Sequence, residues 1–154
     1  MTSIPTTPPD PENGTKVQTW MRHQERKTPR LADLRERLVA IAGWGVIYND
    51  HEYDLPGLVR RGRSHTGPVQ LFPGGVPGEC HANCARAWTA ASDRFQIVTG
   101  YVLTAEGTWI GHSWLQDATG ITYETIPEYL TGVFHRFGLP LPPSRARRFA
   151  QRET

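Results

Sequence analysis

Apolar residues are sparse at the start of the chain. Residues 1–14 are rich in Pro, Thr and Asp with almost nothing to bury, which predicts a flexible lead. After Thr28-Pro29 the pattern changes: Leu31, Leu34, Leu38 and Ile41 recur at helical spacing with Arg35, Glu36 and Arg37 between them. Residues 30–42 therefore read as an amphipathic helix that ends near Gly43. The following "WGVIYND" is β-prone, with Asn49-Asp50 as a turn. Between 51 and 79, Gly and Pro residues from Pro56 to Gly78 interrupt every short apolar run, and only "VQLF" reads as a short strand. In "CHANCARAWTAASD", Cys80, Cys84, Trp88 and Ala91 share one helical face, so a helix of about three turns starts at Glu79 or Cys80 and closes at Ser92-Asp93.

The clearest pattern follows. "FQIVTGYVLT", the turn "AEG", "TWIGHSWLQD", the turn "ATG" and "ITYETI" read as three antiparallel strands in meander order. After Pro127, residues 128–137 read as a short helix, and the remainder as a packed loop followed by a basic tail. The expected organisation is a lead (1–14), one α+β domain (15–143) whose Cys-bearing helix packs on the meander, and a basic C-terminal tail (144–154). A length of 154 residues suits a single domain.

Charge changes this picture little. The formal net charge is +2, which argues against a protein that coats nucleic acid. Lys and Arg nevertheless collect between Lys16 and Arg37 and after Ser144, whereas the meander region from Asp93 to Gly132 is acidic. No apolar run reaches the ~18–20 residues that a membrane span needs, and the N-terminus lacks the order of a signal peptide. The expectation is a cytoplasmic protein without membrane contact whose two cysteines are free thiols.

Cys80 opens its helix, where unpaired N–H groups and the macrodipole favour a thiolate, and the thiolate is the nucleophilic form. The Gly-rich approach "PGGVPGE" lets a substrate backbone come close, and the helix start offers donors for an oxyanion. Cys84, one turn further on and in line with Trp88, reads as core. His81 reads as a solvent-facing or capping histidine. A thiolate nucleophile needs an imidazole within reach and a third group that orients the ring, and His112, a polar ring in mid-strand, fits the first of these roles.

Strand parity supplies the third. If residues 118–120 form a three-residue loop, Asp117 pairs with Ile121, and His112, Trp114, Glu124 and Ile126 share a face. Glu124 is then diagonal to His112, and Asp117 points to the other face. A two- or four-residue loop would instead put Thr125 beside the histidine.

Together, "GECHANCARAW", "GYVLTAEGTWIGHSWLQDATG" and "YETIP" resemble the Cys box, His strand and acid strand of papain-like and transglutaminase-like cysteine enzymes, in the same order. The resemblance spans about fifty residues, from Gly78 to Pro127, and each motif is short. It implies a helix-on-meander core, Cys80 as nucleophile, His112 as base and Glu124 as orienting acid, with no cofactor. It also implies a peptide, amide or other acyl substrate, attacked by a hydrolase or acyltransferase. Glu stands where the transglutaminase pattern has Asp, and Cys80 lacks the adjoining Trp. Gln70 is the nearest analogue of the oxyanion Gln of papain-like enzymes. Asn83, one turn past the thiol, and Trp114, beside the histidine, are further candidates for the oxyanion and substrate side.

Two other classes compete. A structural zinc site would use Cys80, His81, Cys84 and His112, but the usual Cys-x2-Cys and His-x3-His pairs are absent, and a deaminase pattern is not met. A nucleic-acid module would use Arg60-Arg61-Gly62-Arg63 and Arg145 to Arg152, but no aromatic residues are interleaved with them.

Overall fold

The computed structural model describes residues 3–154. The first helix, α1 (Pro11–Lys27), starts inside the stretch expected to be a flexible lead. Its cause is local: the Asp10 carboxylate accepts from the N–H groups of Glu12 and Asn13, Pro11 occupies the first turn, and Arg26 and Lys27 close the last. Ahead of it, Ile4 packs against the core. α2 (Arg30–Ile41) follows the apolar period, with Leu34 and Leu38 fully buried. Truncating either to Ala would cost about 2–5 kcal/mol.

The Gly/Pro-rich middle contains more regular structure than its composition implies. After β1 (Gly45–Ile47), Asp54 caps α3 (Leu55–Arg61) by accepting from Gly57 N–H at 3.0 Å, and β2 (Arg63–Ser64) and β3 (Val69–Leu71) follow. Then come α4 (Cys80–Ala90), β4 (Gln96–Thr104), β5 (Thr108–Gln116) and β6 (Thr122–Glu124). A 3-10 turn at Pro127–Leu130 leads to β7 (Val133–Pro140) and α5 (Pro143–Glu153).

Two expectations are corrected here. Residues 128–137 are not one helix, because "VFHRFGLP" is extended and pairs antiparallel with β4, Tyr101 facing Phe137 and Val102 facing Arg136. The basic tail is a packed helix: Ala146, Phe149 and Ala150 are buried against α4, while Arg147 and Arg148 are exposed and Arg145 donates to the distant Tyr53 carbonyl at 2.8 Å.

The strands join in the order β2-β7-β4-β5-β6-β3, with β1 attached to β5. The meander β4-β5-β6 is antiparallel, and β1 and β3 pair parallel to β5 and β6. This is a mixed α and β protein whose sheet is predominantly antiparallel. One face carries Ile97, Tyr101, Leu103, Leu115 and Phe137, and all the large helical packing lies on it: α1 and α2 over one half, α4 and α5 over the other. The second face holds a smaller cluster of Val98, Val102 and Trp114, covered by Tyr129 and Val133. No helix among the described residues is long and apolar enough to cross a membrane.

Candidate active site

β5 has two unlike edges. One is paired along its length with β4, whereas on the other β1 takes residues 108–110 and β6 takes 115–116. Residues 111–114 therefore have no strand partner on that side. The first turn of α4 comes to this gap, so Cys80 meets His112 from one face of the sheet and His81 reaches Ser113 on the other.

The approach to Cys80 is built by glycine and one asparagine. Gly78, two residues before the thiol, has φ +75, a conformation that favours glycine. At Gly75 a Cβ would come within 2.6 Å of the Thr125 carbonyl and 2.9 Å of Asn83 Nδ2. Asn83 pins this loop by accepting from Val76 N–H at 2.9 Å and donating to the Val76 carbonyl at 3.0 Å. Its amide is thus occupied in holding the loop and is not free to face an oxyanion. Glu79 makes no side-chain cap at the start of α4, which leaves the first N–H groups of that helix to the thiol and whatever binds there.

His112 is fully buried and held through Nε2, which lies 2.9 Å from both carboxylate oxygens of the fully buried Glu124. The register that allows this is the one expected from a three-residue loop: Leu115 faces Tyr123, Gln116 faces Thr122, and Asp117 N–H donates to the Ile121 carbonyl at 3.1 Å. Asp117 lies away from the histidine and organises the turn, accepting from Thr119 and Ile121 N–H and from the Tyr123 hydroxyl.

Glu124 has two further partners. It accepts from Ile126 N–H at 3.1 Å and from Arg136 Nη2 at 3.0 Å. Arg136, on β7, is itself buried and donates to the Tyr129 carbonyl at 2.6 Å. Tyr129 stands edge-on to His112 with ring centroids 4.8 Å apart, and Trp114 stacks beside the imidazole at 6.0 Å. Trp114 is completely buried, so it forms a wall behind the histidine rather than a surface for substrate. Gln70 lies on β3 in register with Tyr123, on the face opposite Glu124, and is exposed. The structure does not bring it to the thiol.

With Nε2 committed to Glu124, the second ring nitrogen of His112, Nδ1, is buried and makes no aligned hydrogen bond among the described residues. It is the nitrogen left for Cys80. Burial by itself would raise the Cys80 thiol, but contact with His112 and His81 outweighs it and brings the thiol down to about 5. Burial opposes the charged form of His112, yet Cys80 and Glu124 together push the ring up to about 9. Between those limits the pair is a thiolate and an imidazolium, with Glu124 as the counter-ion behind them.

His81 does not cap its helix, and it meets solvent only through a cavity. It is partly buried, its Nδ1 lies 2.7 Å from Ser113 Oγ, and Phe149 of α5 stands edge-on to it. It lines a cavity of about 550 Å³ together with Asn49, Asp50, His51 and Gly111. Cys84 is fully buried among Ala85, Phe95 and Ile97, and burial raises its thiol well above the ordinary range. Among the described residues no group of three or more His, Cys, Asp or Glu is arranged to hold a metal ion.

Sequence reasoning missed Arg136 and misjudged His81. A signal for the first existed: Arg136 is the one Lys, Arg, Asp or Glu in the largely apolar run "VFHRFGLP", and a charge at a position whose neighbours two apart are apolar or small calls for a buried partner. For His81 there was none, because its partner Ser113 lies on a strand more than thirty residues further along the chain. No family model, curated protein or solved structure matches this chain.

Proposed function

We propose that the protein is a cysteine-dependent acyl hydrolase or acyltransferase in which Cys80 is the nucleophile, His112 its acid–base partner and Glu124 the orienting carboxylate. The observation that carries this reading is the linear array: a thiol at an uncapped helix start, an imidazole whose far nitrogen is held by a fully buried carboxylate, and a free near nitrogen facing the thiol. Structural ion pairs also occur in cores, but one that ends on a cysteine with its thiol lowered to about 5 has the makings of an activated nucleophile. The same array, with the Cys helix beside a β-meander, supports a papain-like or transglutaminase-like core.

In this mechanism the Cys80 thiolate attacks the carbonyl carbon of an amide, ester or thioester, forming a C–S bond. The N–H groups at the start of α4 take the developing oxyanion, and His112 Nδ1–H donates its proton to the leaving amine, alcohol or thiol. Water or an amine then resolves the thioester. Gln70 and Asn83 have no part in this sequence, and Trp114 acts only by fixing the ring of His112.

The test is covalent. Incubated with 4-nitrophenyl acetate at pH 7, the protein should gain one acetyl group, which peptide mass spectrometry should find on Cys80. Cys80→Ala should gain none. Acetylation spread equally over both cysteines, or confined to surface lysines, would end this reading.

A further inference from the structure

Two imidazoles touch the thiol, and the mechanism above uses one. They differ in what reaches them. His112 is fully buried, its outer side is closed by Trp114 and Tyr129, and its free nitrogen meets only the thiol. A molecule that comes to resolve the thioester has no route to that ring except past the acyl group. His81 stands on the other side of Cys80, in the wall of the 550 Å³ cavity, where water or a small acceptor has room.

Its hydrogen bonds also set its tautomer. Ser113 Oγ donates its single proton to Thr99 Oγ1 at 3.1 Å, so toward His81 it is an acceptor and Nδ1 carries the hydrogen. Nε2 is then the nitrogen left for Cys80, whose contact raises the ring of His81 as it lowers the thiol; once the thiol is acylated that partner is gone and Nε2 holds a free lone pair. Phe149, edge-on at 5.9 Å, and the Ser113 contact together fix the plane of the ring. In the acyl-enzyme, a lone pair held in a fixed direction beside the thioester, on a ring that lines a cavity, is the geometry of a general base.

We propose that His81 is a second catalytic imidazole that activates the acyl acceptor, so that acylation and deacylation are served by different histidines. This rests on the assignment of Cys80 as nucleophile. In the deacylation step Nε2 of His81 removes a proton from water as its oxygen attacks the thioester carbon. The C–O bond forms, the C–S bond breaks, and its electron pair returns to Cys80. The proton on His81 passes across the Cys80 sulfur, which both rings touch, to His112, restoring the imidazolium, and the product leaves through the cavity as a carboxylic acid that gives its proton to solvent. Ser113 and Thr99 are positioning residues, acting only through the ring they orient.

The experiment separates the two half-reactions with 4-nitrophenyl acetate, following nitrophenolate release and the mass of the protein together. For His81→Asn, acetylation of Cys80 should slow by a few-fold at most. Loss of the acetyl group should slow by about 100-fold, the usual contribution of a positioned base, so that the acetylated protein accumulates. Hydroxylamine, which needs no base to attack a thioester, should restore turnover in the variant far more than in the native protein. Ser113→Ala should move deacylation in the same direction by a smaller factor, and it serves as the second variant if His81→Asn folds poorly. Equal slowing of both half-reactions, or deacylation at the native rate, would overturn the role of His81 while leaving Cys80 as the nucleophile. Native protein and His81→Asn that take up no acetyl group on Cys80 and release nitrophenolate no faster than Cys80→Ala would instead remove the nucleophile itself.

Discussion

The polar groups on the two faces of β5 converge on one thiol but are built on different physical terms. On the smaller face, His112, Glu124 and Arg136 form a buried ionic chain whose members are at most 7% exposed. On the larger face, His81, Ser113 and Thr99 are linked by neutral hydroxyl bonds and open onto a cavity. Ionic chains in a dry interior are strongly charged and hard to rearrange, since removing one member leaves the others without compensation. Hydroxyl chains cost less to perturb and hold a ring without fixing its charge. The first arrangement suits a permanent ion pair that keeps a thiolate ready, the second a ring that must take up and release a proton.

The sharpest way to break this comparison is to remove one charge from the ionic chain. Glu124→Gln keeps one carbonyl acceptor where Arg136 and Ile126 N–H use separate oxygens, and it removes the counter-charge between a buried guanidinium and an imidazolium, a change worth about 3 kcal/mol or more. Urea unfolding should show that loss, and acetylation of Cys80 at pH 7 should fall at least tenfold. A variant of native stability and native reactivity would mean that the chain carries no net charge.

A smaller and more specific effect is expected in the pH dependence of Cys80. A thiol lowered to about 5 is protonated below that point and anionic above it, so alkylation by iodoacetamide should rise through pH 5 and stay level toward pH 9. An ordinary thiol would still be climbing there. Above about 9 the imidazolium on His112 is lost, but the thiolate persists. Cys84, buried and shifted upward, should stay unlabelled throughout. Peptide-resolved labelling rates would read both, and a midpoint near pH 9 for Cys80 would show that neither histidine charges it.

The smallest effect belongs to the acid outside both networks. Asp117 ties its own turn together and faces away from His112, so Asp117→Asn should change the labelling rate of Cys80 by less than twofold. If it, rather than Glu124→Gln, proved the damaging change, the orienting acid would have been placed on the wrong side of β5.

Whatever depends on a period or a count of residues could be read before any fold was known. Cys80 at the head of a helix follows from a Gly/Pro-rich run giving way to a helical stripe. The meander follows from alternation, and the meeting of His112 and Glu124 follows from a three-residue loop that fixes parity across two neighbouring strands. The caps of α1 and α3 were legible too, as Asp-Pro and Asp-x-Pro ahead of their helices, although the high Gly and Pro content around them pointed to loops.

The remaining contacts depend on how distant segments pack. Arg136 reaches Glu124 because β7 returns to pair with β4 on the side of the meander away from β6, and His81 is turned inward because α5 packs Phe149 against it. Gln70 is excluded by a parallel pairing of β3 with β6 that no local pattern encodes. Such contacts join segments far apart in the chain. Which of them form is set by how the whole molecule buries its apolar faces, whereas local periodicity constrains a residue only against neighbours within a few positions or across a short turn.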